Sequence, residues 1–188
     1  MDEPIDGLAA GAAVRLRDLA DRVVSRRPIA AHSLWFELEW LSDSGARAAI
    51  ESDLKSIVTR KERIVYQFSL RDPTAYDAVK AAYDGRPLSL DGDKRPLRYS
   101  RFMAPEHPGA LYVGSGIDLR TRVGQHVGRI GGSGTYAMRL SLWATNIAAI
   151  VDLDFWLYEH DLDPIELEAL EQELWDARTP LLGKRSGK

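Results

Sequence analysis

The most informative stretch of the chain is Leu111-Tyr112-Val113-Gly114-Ser115-Gly116. Its apolar start predicts a strand over 110–114, and its glycines predict a tight turn. A helix is predicted to follow, and it carries Arg120, Arg122 and His126. Arginine is a permanent, forked cation, while tyrosine and histidine can exchange protons, so this strand-to-helix corner is suited to phosphate chemistry.

The composition is typical of a globular domain. Hydrophobic residues make up 45% of the 188 residues, charged residues make up 28%, and there is no cysteine. No apolar run approaches the roughly 20 residues that span a bilayer, and the first residues lack the basic-then-apolar order of a signal peptide. We therefore expect a cytoplasmic protein without a membrane partner. The net charge of −3 argues against indiscriminate coating of nucleic acid but allows a local basic groove.

The first third of the chain is predicted to be mostly helical. Apolar residues recur at helical spacing over 8–26 and 44–60, and Arg22 lies on the polar side of the first helix. Residues 34–41 fit a strand and a helix equally well. We therefore predict a helical N-terminal extension over 1–60.

The rest of the chain alternates between strands and helices. Strands are predicted over 64–70, 97–103, 110–114 and 147–158, and helices over 73–85, from 119 and from 163. A polar turn over 91–95 and a glycine-rich loop over 128–134 connect some of these elements.

The helix that begins near Leu119 places two charged side chains together. At about 100° per residue, Arg122 and His126 fall on the same edge of its apolar stripe, half in and half out of the core. A partly buried arginine or histidine is costly unless it meets an anion or a hydrogen-bond partner. The pair therefore either binds an anion or extends to water at the core boundary.

The last predicted helix has one acidic residue within its leucine-rich face. That residue is Glu171, whereas the other acidic residues of the helix, including Glu166, are predicted to point elsewhere. Such a break in a regular pattern is typical of a functional or strained site. The alternative is a structural ion pair between Glu171 and Arg122 or Arg178.

These residues together resemble the GIY-YIG nuclease superfamily. The second signature of that family is a strand ending in Tyr-Ile-Gly or Tyr-Val-Gly, with an arginine ten residues after the tyrosine and often a histidine four residues later. Tyr112-Val113-Gly114, Arg122 and His126 have this spacing. The family also has a glutamate on a later helix, nine residues before a proline, and here Glu171 and Pro180 match.

The resemblance covers about residues 64–184 and departs from the family pattern at two points. The first signature is degenerate. We prefer Ile64-Val65-Tyr66 as its counterpart, which implies an insertion at about 71–105, and Tyr99 in Leu97-Arg98-Tyr99 is the alternative. The terminal asparagine of the family corresponds to Gly183.

The resemblance implies an α/β (α+β) fold, in which a small central antiparallel sheet is flanked by helices. The two signature tyrosines would lie on adjacent strands of a nuclease domain over 61–188. The implied activity is metal-dependent hydrolysis of phosphodiester bonds in DNA, at specific sites or at branched structures. A homodimer is compatible with this activity.

The resemblance also implies a role for each matched residue. Glu171 would hold one Mg²⁺ or Mn²⁺ ion, and Tyr66 or Tyr112 would deprotonate the attacking water. Arg122 would neutralise charge on the phosphate, while His126 would orient the nucleophile or share proton transfer.

Four further residues are predicted to contact the nucleic-acid backbone: Ser115, Arg120, Lys184 and Arg185. Two other interpretations of the same residues stay open. One is a catalytically inactive nucleic-acid-binding module. The other is a protein-interaction domain of the same fold, in which the arginine and the glutamate are structural.

Overall fold

The computed structural model describes residues 5–59, 61–88, 96–128 and 135–185. The turn predicted over 91–95, most of the glycine-rich loop predicted over 128–134 and the tail residues 186–188 lie outside the described residues. None of the described helices is both long enough and apolar enough to cross a membrane.

A four-stranded antiparallel sheet forms the centre of the protein. Its strands are β1 (Ala30–Glu37), β2 (Arg63–Leu70), β3 (Tyr112–Gly116) and β4 (Ile150–Tyr158), in the order β1-β4-β2-β3. The α-helices of the described residues are α1 (Ile5–Ser25), α2 (Ser44–Ile57), α3 (Tyr76–Asp84), α4 (Leu119–Val127) and α5 (Pro164–Arg178). The predicted α+β fold class, with a small antiparallel sheet flanked by helices, is therefore confirmed.

Strand β2 is buried on both faces because the sheet lies between two layers of helices. Tyr66 and Phe68 pack into the larger core with residues of α2 and α4, while Val65 packs on the opposite face with residues of α5. Successive strand residues point to opposite faces. Strand β3 lies beside β2 at the edge of the sheet, where α5 packs against it and side chains of α4 reach it.

Aspartates determine where three of the helices begin. The carboxylate of Asp118 accepts a hydrogen bond from the backbone N–H of Thr121 at 3.0 Å and caps α4. Asp43 and Asp163 cap α2 and α5 in the same way. Such caps satisfy backbone donors that have no partner inside the helix. Helix α4 ends at Gly128, whose φ of +89° is the left-handed conformation that glycine adopts without strain.

The N-terminal segment is not entirely helical. Residues 30–37 form β1, which pairs with β4 along its whole length. The sequence of residues 34–37 fitted a strand and a helix equally well. Leu34 and Phe36 face the large core, and this alternation is that of a strand. The predicted helical extension over 1–60 is therefore wrong for this segment, which supplies an edge strand to the central sheet.

Two local predictions also differ from the structure. The strand predicted near 97–103 does not occur among the described residues, where only single bridges at Tyr99 and Phe102 form. The tight turn predicted at the glycines lies later in the chain, because Gly114 and Gly116 belong to β3 itself.

A buried carboxylate attaches α1 to α5. Glu166, which the sequence predicted to point away from the apolar face, is only 1% exposed. It accepts hydrogen bonds from Nε of Arg22 at 2.6 Å and Nε of Arg26 at 2.7 Å. Burial alone would raise the pKa of Glu166, but the two arginines outweigh burial and hold this pKa below its ordinary value. The partners lie 144 and 140 residues earlier, so the helical pattern around Glu166 could not indicate them.

We expect Glu166→Ala to lower the free energy of unfolding by about 1–3 kcal/mol, because the two arginines lose their shared acceptor. Chemical denaturation measures the loss, and Glu173→Ala, at an exposed position of the same helix, is the control with little effect. The stabilisation is present at neutral pH and is lost as the pH falls below 4.5 through the lowered pKa of the folded state. Equal losses in the two variants would contradict the attachment.

Candidate active site

Tyr66 and Tyr112 lie side by side at the edge of the sheet. Tyr66 is on β2 and Tyr112 on β3, and their rings stack at 21° with centroids 6.2 Å apart. The resemblance implies a tyrosine on the strand next to that of Tyr112, and Tyr66 is the residue in this position. Tyr99 lies elsewhere, since its hydroxyl donates to the backbone oxygen of Pro87 at 2.7 Å and its ring packs on Tyr83.

Gly114 makes room for the ring of Tyr66. The two residues are directly opposite each other in the register of β2 and β3. A Cβ atom at position 114 would lie 2.7 Å from the hydroxyl oxygen of Tyr66 and 2.9 Å from Cε1 of Tyr112. Glycine is the residue that permits this close approach, which gives the glycine of the Tyr-Val-Gly motif a steric role.

The imidazole of His126 is fully buried against the two tyrosines. Its ring centroid lies 4.3 Å from that of Tyr112 and 5.4 Å from that of Phe68. The sequence predicted a position half in and half out of the core. That prediction is wrong for His126 because aromatic side chains of β2 and β3 cover this edge of α4, and it holds for Arg122, which is half-buried.

Hydrogen bonds determine the protonation state of His126. The backbone N–H of Met138 donates to Nδ1 at 3.2 Å, so Nδ1 carries no proton. The proton of the neutral ring is then on Nε2, which lies 3.3 Å from the hydroxyl oxygen of Tyr66 and donates to it. Burial and the nearby charge of Arg122 lower the pKa of His126 well below its ordinary value. His126 is therefore a neutral donor that positions Tyr66.

Arg122 places a positive charge beside the tyrosine hydroxyls. Its Nη2 lies 3.5 Å from the hydroxyl oxygen of Tyr112, and its Nη1 donates to Oε1 of Gln125 at 2.6 Å. Burial raises the pKa of Tyr112 and of Tyr66, and in both cases the charge of Arg122 opposes this rise. Both phenols are thus protonated at neutral pH and lie next to a fixed cation.

Glu171 reaches this edge of the sheet from the opposite helix layer. It lies on α5, is half-buried, and accepts a hydrogen bond from the hydroxyl of Ser115 on β3. Its negative charge is close enough to raise the pKa of Tyr66 and of Tyr112. Ser115, which the sequence predicted as a phosphate contact, holds the carboxylate of Glu171 in this structure. Along β3, Ser115 and Tyr112 point to opposite faces, so the carboxylate and the tyrosines meet across the edge strand.

The oxygen donors at Glu171 fit a hard cation such as Mg²⁺. Among the described residues, no three His, Asp or Glu side chains converge on one point. Mg²⁺ keeps several waters and is usually bound by one or two carboxylates together with phosphates of the substrate. The half-buried carboxylate of Glu171 therefore fits a cation shared with a phosphate, and it does not fit an all-protein metal cage.

A cleft of about 370 Å³ opens beside Tyr112 and Arg122. The other residues that line it are Ser100, Arg101, Tyr136, Gly183 and Lys184. Three lining residues are cations and none is acidic, so the cleft attracts anions. The predicted contact Lys184 is found here. Arg101 and Tyr136 were missed, because neither belongs to a motif and both join the site only through the fold.

Two predicted phosphate contacts point away from the cleft. Arg120 extends towards α2, where its Nη2 lies 3.5 Å from Oε1 of Glu51. Arg185 forms two hydrogen bonds with the carboxylate of Asp176, at 2.8 and 2.7 Å. The structure therefore does not bring either residue to the cleft, because positive charge in a sequence does not show which acidic side chain will neutralise it.

Close packing at Gly183, which the resemblance matches to an asparagine, leaves no room for a side chain. Its φ is +126°, and a Cβ atom there would lie 2.8 Å from Cζ3 of Trp175 and 3.2 Å from Cε2 of Tyr112. Its backbone N–H donates to the backbone oxygen of Arg101 at 2.7 Å. The chain after α5 is thereby held against Tyr112 by close packing, without an asparagine side chain.

Comparison with known proteins finds no matching family model, no matching curated sequence and no matching solved structure. The function is therefore inferred from the site itself.

We expect Gly114→Ala to displace Tyr66 and to lower the free energy of unfolding by about 1–3 kcal/mol, because the new Cβ would overlap a buried phenol. The matched control is Gly116→Ala on the same strand, where a Cβ meets no atom within 4 Å. Urea unfolding of the two variants measures the difference. If both lost the same stability, the steric role of Gly114 would be refuted.

We expect His126 to stay neutral, with its proton on Nε2, as the pH falls from neutral to about 5.5. Nitrogen NMR of the imidazole reports both properties. The unfolded chain takes up a proton near pH 6.5 that the folded ring does not bind. His126 therefore lowers the free energy of unfolding below that pH, by up to about 1.4 kcal/mol per pH unit. A titration midpoint near 6.5, or a proton on Nδ1, would contradict the assignment.

Proposed function

We propose that the protein is a metal-dependent endonuclease of the GIY-YIG type that hydrolyses phosphodiester bonds in DNA. The observation that carries the proposal is the convergence of side chains from four elements: Tyr66 of β2, Tyr112 of β3, Arg122 and His126 of α4, and Glu171 of α5. Together they offer a fixed cation, phenols, an imidazole and a carboxylate around one edge strand. Phosphodiester hydrolysis needs these capacities for charge neutralisation, proton transfer and metal binding.

The charge of the cleft supports a nucleic-acid partner. The whole chain has a net charge of −3, yet the cleft is lined by Arg101, Arg122 and Lys184 without an acidic residue. Attraction of a polyanion is therefore local to the site. A protein that coated nucleic acid over its whole surface would instead need a basic surface throughout.

In the proposed reaction, water attacks phosphorus and the bond from phosphorus to the leaving sugar oxygen breaks. Tyr112 lines the cleft, and once its hydroxyl has lost its own proton to solvent the phenolate accepts a proton of the attacking water, while Arg122 stabilises both the phenolate and the charge that develops on the phosphate. Tyr66 is buried behind Tyr112. His126 acts as a positioning residue, because its Nε2 proton holds the hydroxyl of Tyr66.

Glu171 would hold the Mg²⁺ or Mn²⁺ ion, and Ser115 would orient its carboxylate. When bound, the ion would stabilise negative charge on a phosphate oxygen and on the leaving oxygen. Since Glu171 and Arg122 come from different helix layers, the ion held by Glu171 and the guanidinium of Arg122 would neutralise a phosphate from both sides of the edge strand.

We expect Arg122→Ala and Glu171→Gln each to reduce Mg²⁺-dependent nicking of supercoiled plasmid DNA by about a hundredfold or more, because each change removes a group that acts on the reacting phosphate. The matched control is Arg120→Ala, on the same helix, whose guanidinium faces Glu51 and not the cleft. This variant should cleave at the wild-type rate.

Undiminished nicking by folded Arg122→Ala or Glu171→Gln protein, with folding checked by circular dichroism, would refute the mechanism. A wild-type protein that binds DNA without nicking it would favour the inactive binding module. A wild-type protein that neither binds nor cleaves DNA would favour the protein-interaction domain.

A further inference from the structure

Tyr136 presents an aromatic ring to the cleft. Its side chain is 62% exposed and lines the same space as Tyr112 and Arg122. Proteins that bind single-stranded nucleic acid combine exposed aromatic rings with a positively charged groove, because each base can stack on a ring while cations follow the backbone. Both parts of that combination occur in this cleft.

The backbone around Tyr136 is held in place although the ring is exposed. Ala137 and Met138 directly after it are fully buried, and the backbone N–H of Ser100 donates to the backbone oxygen of Ala137 at 2.9 Å. The guanidinium of Arg98 lies 5.5 Å from the centroid of the Tyr136 ring. Because the backbone is already ordered, a ligand that stacks on the ring has only the rotation of that side chain to restrict.

Two cations of the cleft form no ion pair with the described residues. Arg101 and Lys184 both line the cleft without an acidic partner there. Arg185, next along the chain, is instead neutralised by Asp176. The cleft therefore offers positive charge for phosphates on the same surface as the exposed ring.

The volume of the cleft limits what can enter it. A space of about 370 Å³ lies within the range of small-molecule pockets, roughly 300–1,000 Å³. A space of this size holds one small ligand and not a length of duplex, which favours a single unpaired nucleotide as the group that enters it. A base stacked on Tyr136 would thus belong to a nucleotide adjoining the phosphate at Tyr112 and Arg122.

We propose that Tyr136 stacks an unpaired base beside the cleaved phosphate, so that the substrate is nucleic acid that is single-stranded or locally unpaired at the cleavage site. This inference rests on the proposed function. Arg101 and Lys184 contact the flanking phosphates. The ring discriminates paired from unpaired nucleotides and not one base from another, because every base has a face that can stack.

Binding of a short fluorescent single-stranded oligonucleotide, and of the same sequence as a duplex, tests the proposal. Fluorescence anisotropy in EDTA measures both affinities without cleavage. We expect Tyr136→Ala to weaken single-strand binding about tenfold and duplex binding less than about twofold, while Tyr136→Phe keeps the wild-type affinities. The control is Trp35→Ala on β1, at the opposite edge of the sheet, where the side chain is 51% exposed. It should change neither affinity.

The salt dependence of the same binding separates stacking from charge. Lys184→Ala should reduce the slope of log affinity against log salt by about 0.7 for the single strand, whereas Tyr136→Ala should leave the slope unchanged. Stacking would be refuted if Tyr136→Ala altered the salt slope, or if it weakened single-strand and duplex binding equally. A wild-type protein that binds neither oligonucleotide would also refute it. Equally strong competition by a free deoxynucleoside monophosphate would identify a mononucleotide as the ligand and overturn the proposed substrate class.

The proposed activity and the proposed stacking role fail separately. If Tyr136→Ala loses single-strand binding but the wild type nicks no DNA with Mg²⁺, the stacking role stands and the endonuclease does not. If the wild type nicks DNA and Tyr136→Ala binds and cleaves every substrate as well as the wild type, the endonuclease stands and the stacking role is refuted.

Discussion

The hydrogen bond from Nε2 of His126 to the hydroxyl oxygen of Tyr66 determines how the site is built. It forms in this direction because the backbone N–H of Met138 already occupies Nδ1. Both rings are buried, and a buried polar group left without a partner costs about 1–3 kcal/mol. Strand β2, helix α4 and the segment around Met138 therefore favour one common arrangement. This arrangement also positions Tyr112, which stacks on Tyr66. Arg122 in turn contacts Tyr112.

The site lies at the edge of the sheet because an edge strand allows side chains from both helix layers to meet. Arg122 comes from α4 on one face, and Glu171 comes from α5 on the other. A strand in the middle of the sheet would separate these charges by the thickness of the sheet. At the edge both side chains stay half-buried, which limits the free-energy cost of removing them from water. Gly114 contributes to the same arrangement, since its missing Cβ lets Tyr66 approach the edge strand.

Local periodicity in the sequence predicted which residues share one side of an element, and it could not predict their distant partners. The spacing on α4 placed Arg122 and His126 on a common flank, and strand character favoured Tyr66 over Tyr99. The same periodicity did not predict the burial of Glu166, because its two arginine partners lie in and just after α1, near the other end of the chain. The depth of His126 likewise depends on aromatic side chains of β2 and β3. Interactions between elements that are remote in sequence decided each of these differences.

The charges around the two tyrosines oppose one another in the free protein. Burial and the carboxylate of Glu171 both disfavour a phenolate at Tyr66 or Tyr112, while the guanidinium of Arg122 favours it. Since burial is the largest of these effects, both phenols keep their protons in the free protein. Neutralisation of that carboxylate would remove one of the effects that raise the pKa of each phenol, while burial would still oppose Arg122. The acid–base state of the tyrosines is thus coupled to the charge of Glu171 on the other side of the edge strand.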